Sequence, residues 1–145
     1  MVLIIKMLVM SLLKEITDYK VSSVLNNDRK QFGKKYLFDG NDETCWNSDQ
    51  GVPQWVQFGF STPRTISKVK LQFQGGFVGK QCVLEAVTGQ SNDGDCKFEF
   101  FPADVNSLQE FVCSSPITSQ KFRLTFRSST DFYGRIILYH FQILE

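Results

Sequence analysis

The sequence predicts an all-β fold, an antiparallel sandwich or jelly roll of about six to eight strands. Its 145 residues fit one domain, and a hydrophobic share of 42% is enough for one substantial core. Fourteen phenylalanines stand against three methionines, in short runs where apolar and polar residues alternate. This pattern favours sheets packed face to face over a helical bundle, and no β-α-β alternation interrupts it.

The first thirteen residues are nearly all apolar and precede the alternating pattern that begins near Thr17. Lys6 interrupts this run, no small-residue cleavage site follows it, and it is shorter than the roughly 20 residues of a membrane span. We therefore expect an apolar extension over residues 1–16 and the folded domain over residues 17–145. A cleaved signal peptide is the alternative, and it would place the protein outside the cell.

The first clear strand covers residues 55–60. Three apolar side chains alternate along it and share one face, namely Val56, Phe58 and Phe60. Ser61-Thr62-Pro63 should end the strand, because these residues favour turns. The segment is predicted to be a core strand.

Three later segments, residues 69–73, 97–100 and 122–127, repeat the alternation. Each should form a strand with one buried and one wet face. Gly75-Gly76 should end the first of them, and Ser91-Asn92-Asp93-Gly94-Asp95 is the clearest turn signal in the chain.

The last strand is predicted within residues 134–144, where almost every residue is apolar or aromatic. Such a segment should be covered on both faces, so we expect it to be central.

Two long polar loops, around residues 26–35 and 39–54, precede the second tryptophan. A sandwich would present them together at one end. Loops carry function more often than strands do, so function should be sought there.

The charge of the chain is nearly balanced, with sixteen Lys and Arg against fifteen Asp and Glu and a formal net charge of +1. No global field would therefore recruit nucleic acid or an acidic membrane. We predict neither direct nucleic-acid binding nor membrane binding.

The four cysteines, Cys45, Cys82, Cys96 and Cys113, match no metal-binding spacing. We expect reduced thiols in a cytosolic or nuclear protein. A disulfide or a reactive thiol is the alternative.

No enzyme motif is present: the chain has no Gly-x-Ser-x-Gly elbow, no Walker loop, no HExxH and no dinucleotide glycine pattern. Asp39, Asp42 and Asp49 are carboxylates crowded near one turn, which suits folding the turn better than acid and base catalysis. We predict that the protein is not an enzyme.

Several motifs together identify a family resemblance. They are Phe38-Asp39-Gly40, Thr44, Trp46, Trp55-Val56-Gln57-Phe58, the Ile-x-x-Val-x-Leu strand of residues 66–71, and Gly134-Arg135-Ile136. Over roughly residues 21–144 the chain resembles the discoidin superfamily, also called coagulation factor V and VIII C-type or galactose-binding-like domains. The resemblance implies a jelly-roll β-sandwich of about eight strands.

Longer stretches resemble one small subgroup of these domains, which associates with an orphan nuclear receptor. They are residues 21–26, 29–35, 44–51, 72–77 and 130–135. This resemblance implies a non-enzymatic protein of the nucleus and cytoplasm. It further implies that the protein binds the receptor and limits its dimerisation and DNA binding.

Many carbohydrate-binding relatives hold a structural calcium in the matching loop, so the resemblance makes Asp39, Asp42 and Thr44 candidate ligands. Those relatives usually complete the shell with a carboxylate on the final strand, where the nearest match is His140, a poor calcium ligand. Alternatively, the two aspartates fold the turn by accepting backbone hydrogen bonds. No cofactor is expected to be required, and a structural calcium stays open.

Sugar binding, the activity of many relatives, needs aromatic platforms on exposed loops. Phe77 and Phe132-Tyr133 are the candidates, although Phe77 could instead cap the core. Arg135 is expected to pair with Asp49 or Asp131, because an unpaired buried charge is unfavourable. Ligand binding by this arginine is the alternative.

The predicted partner-binding surface lies at the end of the sandwich where loops are expected to meet. It comprises Asn47, Ser48, Asp49, Gln50, Gly75, Gly76, Phe77 and Arg135. Polar groups around one or two aromatic rings are typical of a modest binding patch. We predict a protein-interaction module that binds a nuclear receptor. A lectin-like, glycan-binding module and a scaffold subunit of a regulatory complex are the alternatives.

Overall fold

Seven antiparallel strands make up most of the computed structural model, which describes residues 15–37, 41, 43–87 and 97–145. The strands are β1 Ile16–Val21, β2 Trp46–Asn47, β3 Gln54–Phe73, β4 Gly79–Ala86, β5 Lys97–Phe100, β6 Gln109–Ser129 and β7 Ile137–Leu144. A short helix, α1 Arg29–Phe32, lies between 3-10 turns at Leu25–Asn27 and Lys34–Leu37. No described helix is long and apolar enough to span a bilayer. Most of the predicted apolar extension and the predicted turn at 91–95 lie outside the described residues.

The long strands β3 and β6 belong to both layers of the sandwich. In β3, residues 56–60 pair with β1 and residues 54–59 with the end of β6. Residues 68–73 pair with β7, and residues 68–71 also pair with the start of β6. The register of β3 and β6 shifts between Gly59 and Arg64. The predicted end of the strand at Ser61-Thr62-Pro63 is therefore wrong: these exposed residues bend a continuous strand.

The strand order is β2-β7-β3-β6-β4-β5, and β1 pairs with β3. The last strand, β7, pairs with β3 from Leu138 to Leu144, but only Ile137 and Leu138 also pair with β2, so the predicted central position holds only at its start. The predicted coverage of both faces is only partial. Ile137, Leu138, Phe141 and Ile143 are buried, while the residues between them are half-buried.

Aromatic rings from both layers fill the core. Phe58 stacks on Phe122 at 5.6 Å and meets Phe141 edge-on at 5.3 Å. Val56 and Phe58 have no exposed surface and Phe60 is 4% exposed, which confirms the predicted inward face. The all-β, jelly-roll sandwich predicted from the sequence is confirmed, and its packed core holds the loops at each end in place.

The described cysteines, Cys45, Cys82 and Cys113, are buried free thiols. Burial raises the pKa of all three thiols, which favours their protonated, less nucleophilic form at neutral pH. Cys96 lies outside the described residues.

Candidate functional site

Loops from distant parts of the chain meet at one end of the sandwich, here called the loop end. They comprise residues 48–53, 74–77, 101–108 and 130–136. Gly51 N donates to Tyr133 O at 2.7 Å, which joins the first loop to the last. Gly75 N and Gly76 N donate to the side chains of Asn106 and Asp104, each at 2.7 Å. Ile137 N, at the end of the last loop, donates to Phe77 O at 3.2 Å, so the two pairs of loops form one connected surface.

Gln54 holds the 48–53 loop to the chain that follows β1. Its Oε1 accepts hydrogen bonds from Ser22 Oγ at 2.5 Å and Ser23 Oγ at 2.7 Å. Its Nε2 donates to Asp49 O at 3.2 Å and Gly51 O at 2.7 Å. The side chain is 5% exposed, so these bonds satisfy a buried amide. Gln54 is not among the site residues predicted from the sequence.

Two residues of the predicted surface, Asn47 and Ser48, are not displayed, because they are only 6% and 0% exposed. Ser48 Oγ accepts from Ile136 N at 2.8 Å, and Ser48 N donates to Ile136 O at 2.9 Å. Oδ1 of Asn47 accepts no hydrogen bond within the described part of the chain. A partner could reach these side chains only by opening the sheet, so they support the loop instead.

The remaining predicted residues lie at or near the surface. Gln50 and Gly76 are exposed, and Asp49, Gly75 and Phe77 are half-buried. The carboxylate of Asp49 accepts from Gln50 N at 3.0 Å, a bond between neighbouring residues of the loop.

Arg135 pairs with Asp131, one of the two predicted partners. Its Nε lies 3.0 Å from Asp131 Oδ2, which also accepts from Arg135 N at 3.0 Å. Burial would raise the pKa of Asp131, but the hydrogen bonds and charge of Arg135 outweigh it and hold that pKa below its usual value. The guanidinium carbon lies 4.9 Å from the centre of the Phe77 ring. These contacts fix Arg135 at the edge of the loop end.

Phe132 and Tyr133 form the most exposed aromatic pair of the described residues, at 93% and 57% exposure. Their rings touch edge-on with centroids 5.3 Å apart. They occupy the middle of a tight turn in which Gly134 N donates to Asp131 O at 3.0 Å. Because Asp131 is held by Arg135, the turn presents two apolar rings to solvent on a fixed backbone.

Gly134→Ala should destabilise the protein by about 1–3 kcal/mol. Gly134 has a φ of +81°, and an added Cβ would lie 2.9 Å from the carbonyl carbon of Gly51. Gly76→Ala is the matched control, because Gly76 has a φ of +90° but open space around it. Urea unfolding should show a larger loss of unfolding free energy for Gly134→Ala than for Gly76→Ala. Equal losses would contradict the close packing of the 48–53 and 130–136 loops.

The predicted calcium site is only partly described, since Asp39 and Asp42 lie outside the described residues. Thr44 Oγ1 donates to Asn41 O at 3.2 Å, and Asn41 Oδ1 accepts from Glu43 N at 2.9 Å. The described part of this turn is thus folded by its own hydrogen bonds. No cluster of three His, Cys, Asp or Glu side chains able to hold a metal occurs within the described ranges. Calcium binding stays a prediction.

Comparisons with known proteins match this chain along nearly its whole length. The sequence profile of the F5/8 type C domain matches residues 18–138. The nuclear receptor 2C2-associated protein of Danio rerio is 52% identical over 136 residues, covering 92% of this chain and 94% of the relative. The protein of the same name from Xenopus tropicalis is 50% identical over 139 residues, covering 94% and 99%.

Among solved structures, the family 32 CBM from C. perfringens NanJ in complex with galactose has a TM-score of 0.71. It is 17% identical in sequence, and the alignment covers 92% of this chain and 96% of that one. At this identity the likeness shows a shared fold.

Proposed function

The chain belongs to the F5/8 type C domain family, and from this premise we propose that it is a non-enzymatic protein-interaction module that binds nuclear receptor 2C2. The Danio rerio and Xenopus tropicalis relatives, which carry this receptor in their name, each align with more than nine-tenths of the chain, and no catalytic domain is indicated. The proposed effect of binding is to limit dimerisation and DNA binding of the receptor. The proposed location is the nucleus and cytoplasm, which the buried free thiols support.

The observation that carries the proposal is the exposed pair Phe132 and Tyr133 on a fixed turn. An aromatic ring buries about 150–250 Å² when a partner covers it, and aromatic residues are enriched at binding hot spots. The turn is already ordered by Arg135 and Asp131, so binding requires little further ordering of the backbone. Gln50 and Gly76 supply a polar rim.

A module bound in this way would act on the receptor by mass action. If it binds the receptor monomer and covers surface needed for pairing, it lowers the dimer population in proportion to its affinity and concentration. Neither catalysis nor contact with DNA is needed for that effect.

Replacing Phe132 with alanine should weaken receptor binding by at least about tenfold, because a central aromatic anchor is lost. The binding of purified nuclear receptor 2C2 to the immobilised full chain would measure this, with Tyr133→Ala and the double variant in parallel. Thermal unfolding should be unchanged, since the Phe132 side chain is almost entirely exposed.

Val112→Ala is the matched control. Val112 is also apolar and 63% exposed, but it lies within β6 and not in a loop. The Val112→Ala variant should bind the receptor with the same affinity as the wild type. If the Phe132 and Tyr133 double variant also binds like the wild type, the loop end is not the receptor-binding surface.

Carbohydrate binding is the second candidate function, and the same exposed rings support it, because sugars stack on aromatic faces. The family 32 CBM from C. perfringens NanJ was solved in complex with galactose, which is a ligand of that protein. Retention of the chain on immobilised galactose, with release by free galactose and loss in Phe132→Ala, would favour this function over receptor binding.

A further inference from the structure

We propose that a basic groove beside β1 binds an acidic, extended segment of a partner protein. The groove has a volume of about 610 Å³ and is lined by residues from β1, the Ser22–Val24 segment, α1 and the turns around it. Its eleven lining residues include five cationic side chains and no carboxylate. The cationic residues are Lys20, Arg29, Lys30, Lys34 and Lys35.

The positive charge of the groove is concentrated and unbalanced. The whole chain has a net charge of only +1, yet five of its sixteen Lys and Arg line this one groove. None of the five forms an ion pair with a carboxylate of the described ranges. The adjacent Asp28 instead caps α1, where its carboxylate accepts from Gln31 N at 3.2 Å. An anionic ligand would relieve the mutual repulsion of these cations.

The local fold gathers these charges against β1. The cap at Asp28 starts α1, which places Arg29 and Lys30 on its only turn. The following 3-10 turn carries Lys34 and Lys35. Lys34 Nζ then donates to Tyr19 O of β1 at 2.8 Å, which fixes one cation on the strand. The groove therefore has a preformed basic wall.

The floor of the groove suits an extended chain. β1 pairs with β3 and with no other strand of the described ranges, so it is an edge strand. Edge strands bind extended peptides alongside them, and the side chains of the peptide supply the specificity. Val21 and Val24 give this floor small apolar surfaces, and a peptide with acidic side chains would match both floor and wall.

The lining disfavours the other anionic partners. None of the eleven residues is aromatic, whereas proteins that bind single-stranded nucleic acid stack bases on aromatic side chains. None is a large apolar residue exposed to solvent, whereas membrane-binding surfaces insert such residues.

Binding of an acidic segment in the groove is independent of receptor binding at the loop end. Loss of one interaction would leave the other intact, because Phe132 and Tyr133 do not line the groove.

The test is fluorescence anisotropy with the full chain and a labelled peptide of alternating glutamate and glycine, about ten residues long. The comparison probes are the same peptide with glutamine for glutamate, an oligouridylate of equal length, and phosphatidylserine vesicles. The acidic peptide should bind at least about tenfold more tightly than its neutral counterpart and weaken with added salt.

The double variant Arg29→Glu with Lys30→Glu should lose this binding at least about tenfold. Lys80→Glu with Arg127→Glu is the matched control: both residues are exposed and neither lines the groove. Each pair of substitutions removes two positive charges and adds two negative ones, so the formal net charge falls from +1 to −3 in both variants. Circular dichroism would check that each variant is folded. If the double glutamate variant of the groove is unfolded, Arg29→Gln with Lys30→Gln would take its place.

Equal binding of the acidic and neutral peptides would overturn the proposal. So would equal losses in the groove variant and its control, since these would report net charge alone. Preferential binding of the oligouridylate or the vesicles would overturn it in favour of a nucleic acid or a membrane.

Discussion

Replacing Trp46 with alanine is expected to destabilise the protein by about 3–5 kcal/mol, the largest single effect that the structure implies. The Trp46 side chain has no exposed surface, and its ring lies 6.1 Å from that of Phe126. Its Nε1 donates to Ser23 O at 2.9 Å, which connects the core to the segment after β1. Alanine would leave a cavity and remove the hydrogen-bond donor from the half-buried Ser23 carbonyl. Urea unfolding followed by circular dichroism would measure the loss.

Trp46→Phe is the informative companion, and it covers the case in which the alanine variant does not fold. Phenylalanine keeps most of the buried ring but loses the hydrogen bond to Ser23, so a loss of about 1–2 kcal/mol is expected. A loss below about 1 kcal/mol in Trp46→Ala would contradict the packing described for this residue.

Gln54→Ala should destabilise the protein by about 2–4 kcal/mol, because it removes a buried amide with hydrogen bonds on both its oxygen and its nitrogen. The hydroxyls of Ser22 and Ser23 and the carbonyls of Asp49 and Gly51 would lose their partner together. We also expect faster hydrogen exchange at the Gly51 amide, since the 48–53 loop would be less constrained.

Gln50→Ala tests whether this effect belongs to the position. Gln50 is the same residue type in the same loop, but it is exposed. Its unfolding free energy should stay within about 0.5 kcal/mol of the wild type. Similar losses in both variants would show that Gln54 does not hold the loop as described.

Local alternation of residue types predicted the inward face of the first core strand. Val56, Phe58 and Phe60 face the core as expected, although Gln57 and Gly59 between them are buried as well. The sequence of β4 carries no alternating pattern. Cys82, Val83 and Leu84 are consecutive apolar residues that are all at most 2% exposed. β1 is an edge strand with several exposed polar residues, and its pattern is correspondingly weak.

The candidate site was partly predictable, because some of its contacts are local in sequence and others join distant loops. The pairing of Arg135 with Asp131 is local in sequence and follows from the unfavourable burial of a lone charge. The burial of Ser48 depends on its contact with Ile136 of a distant loop, which no local pattern encodes. Gln54 did carry a signal, since it falls on the inward face with Val56, and a polar residue there must find partners.

The most direct test of the central claim is a titration of purified nuclear receptor 2C2 with the full chain, followed by sedimentation velocity and by a DNA mobility shift. We expect a discrete complex that grows as receptor dimers and receptor–DNA complexes decline, and Phe132→Ala should need at least about tenfold more protein for the same decline. A receptor that stays dimeric and DNA-bound at saturating concentrations of the chain, with no complex formed, would contradict the proposed function.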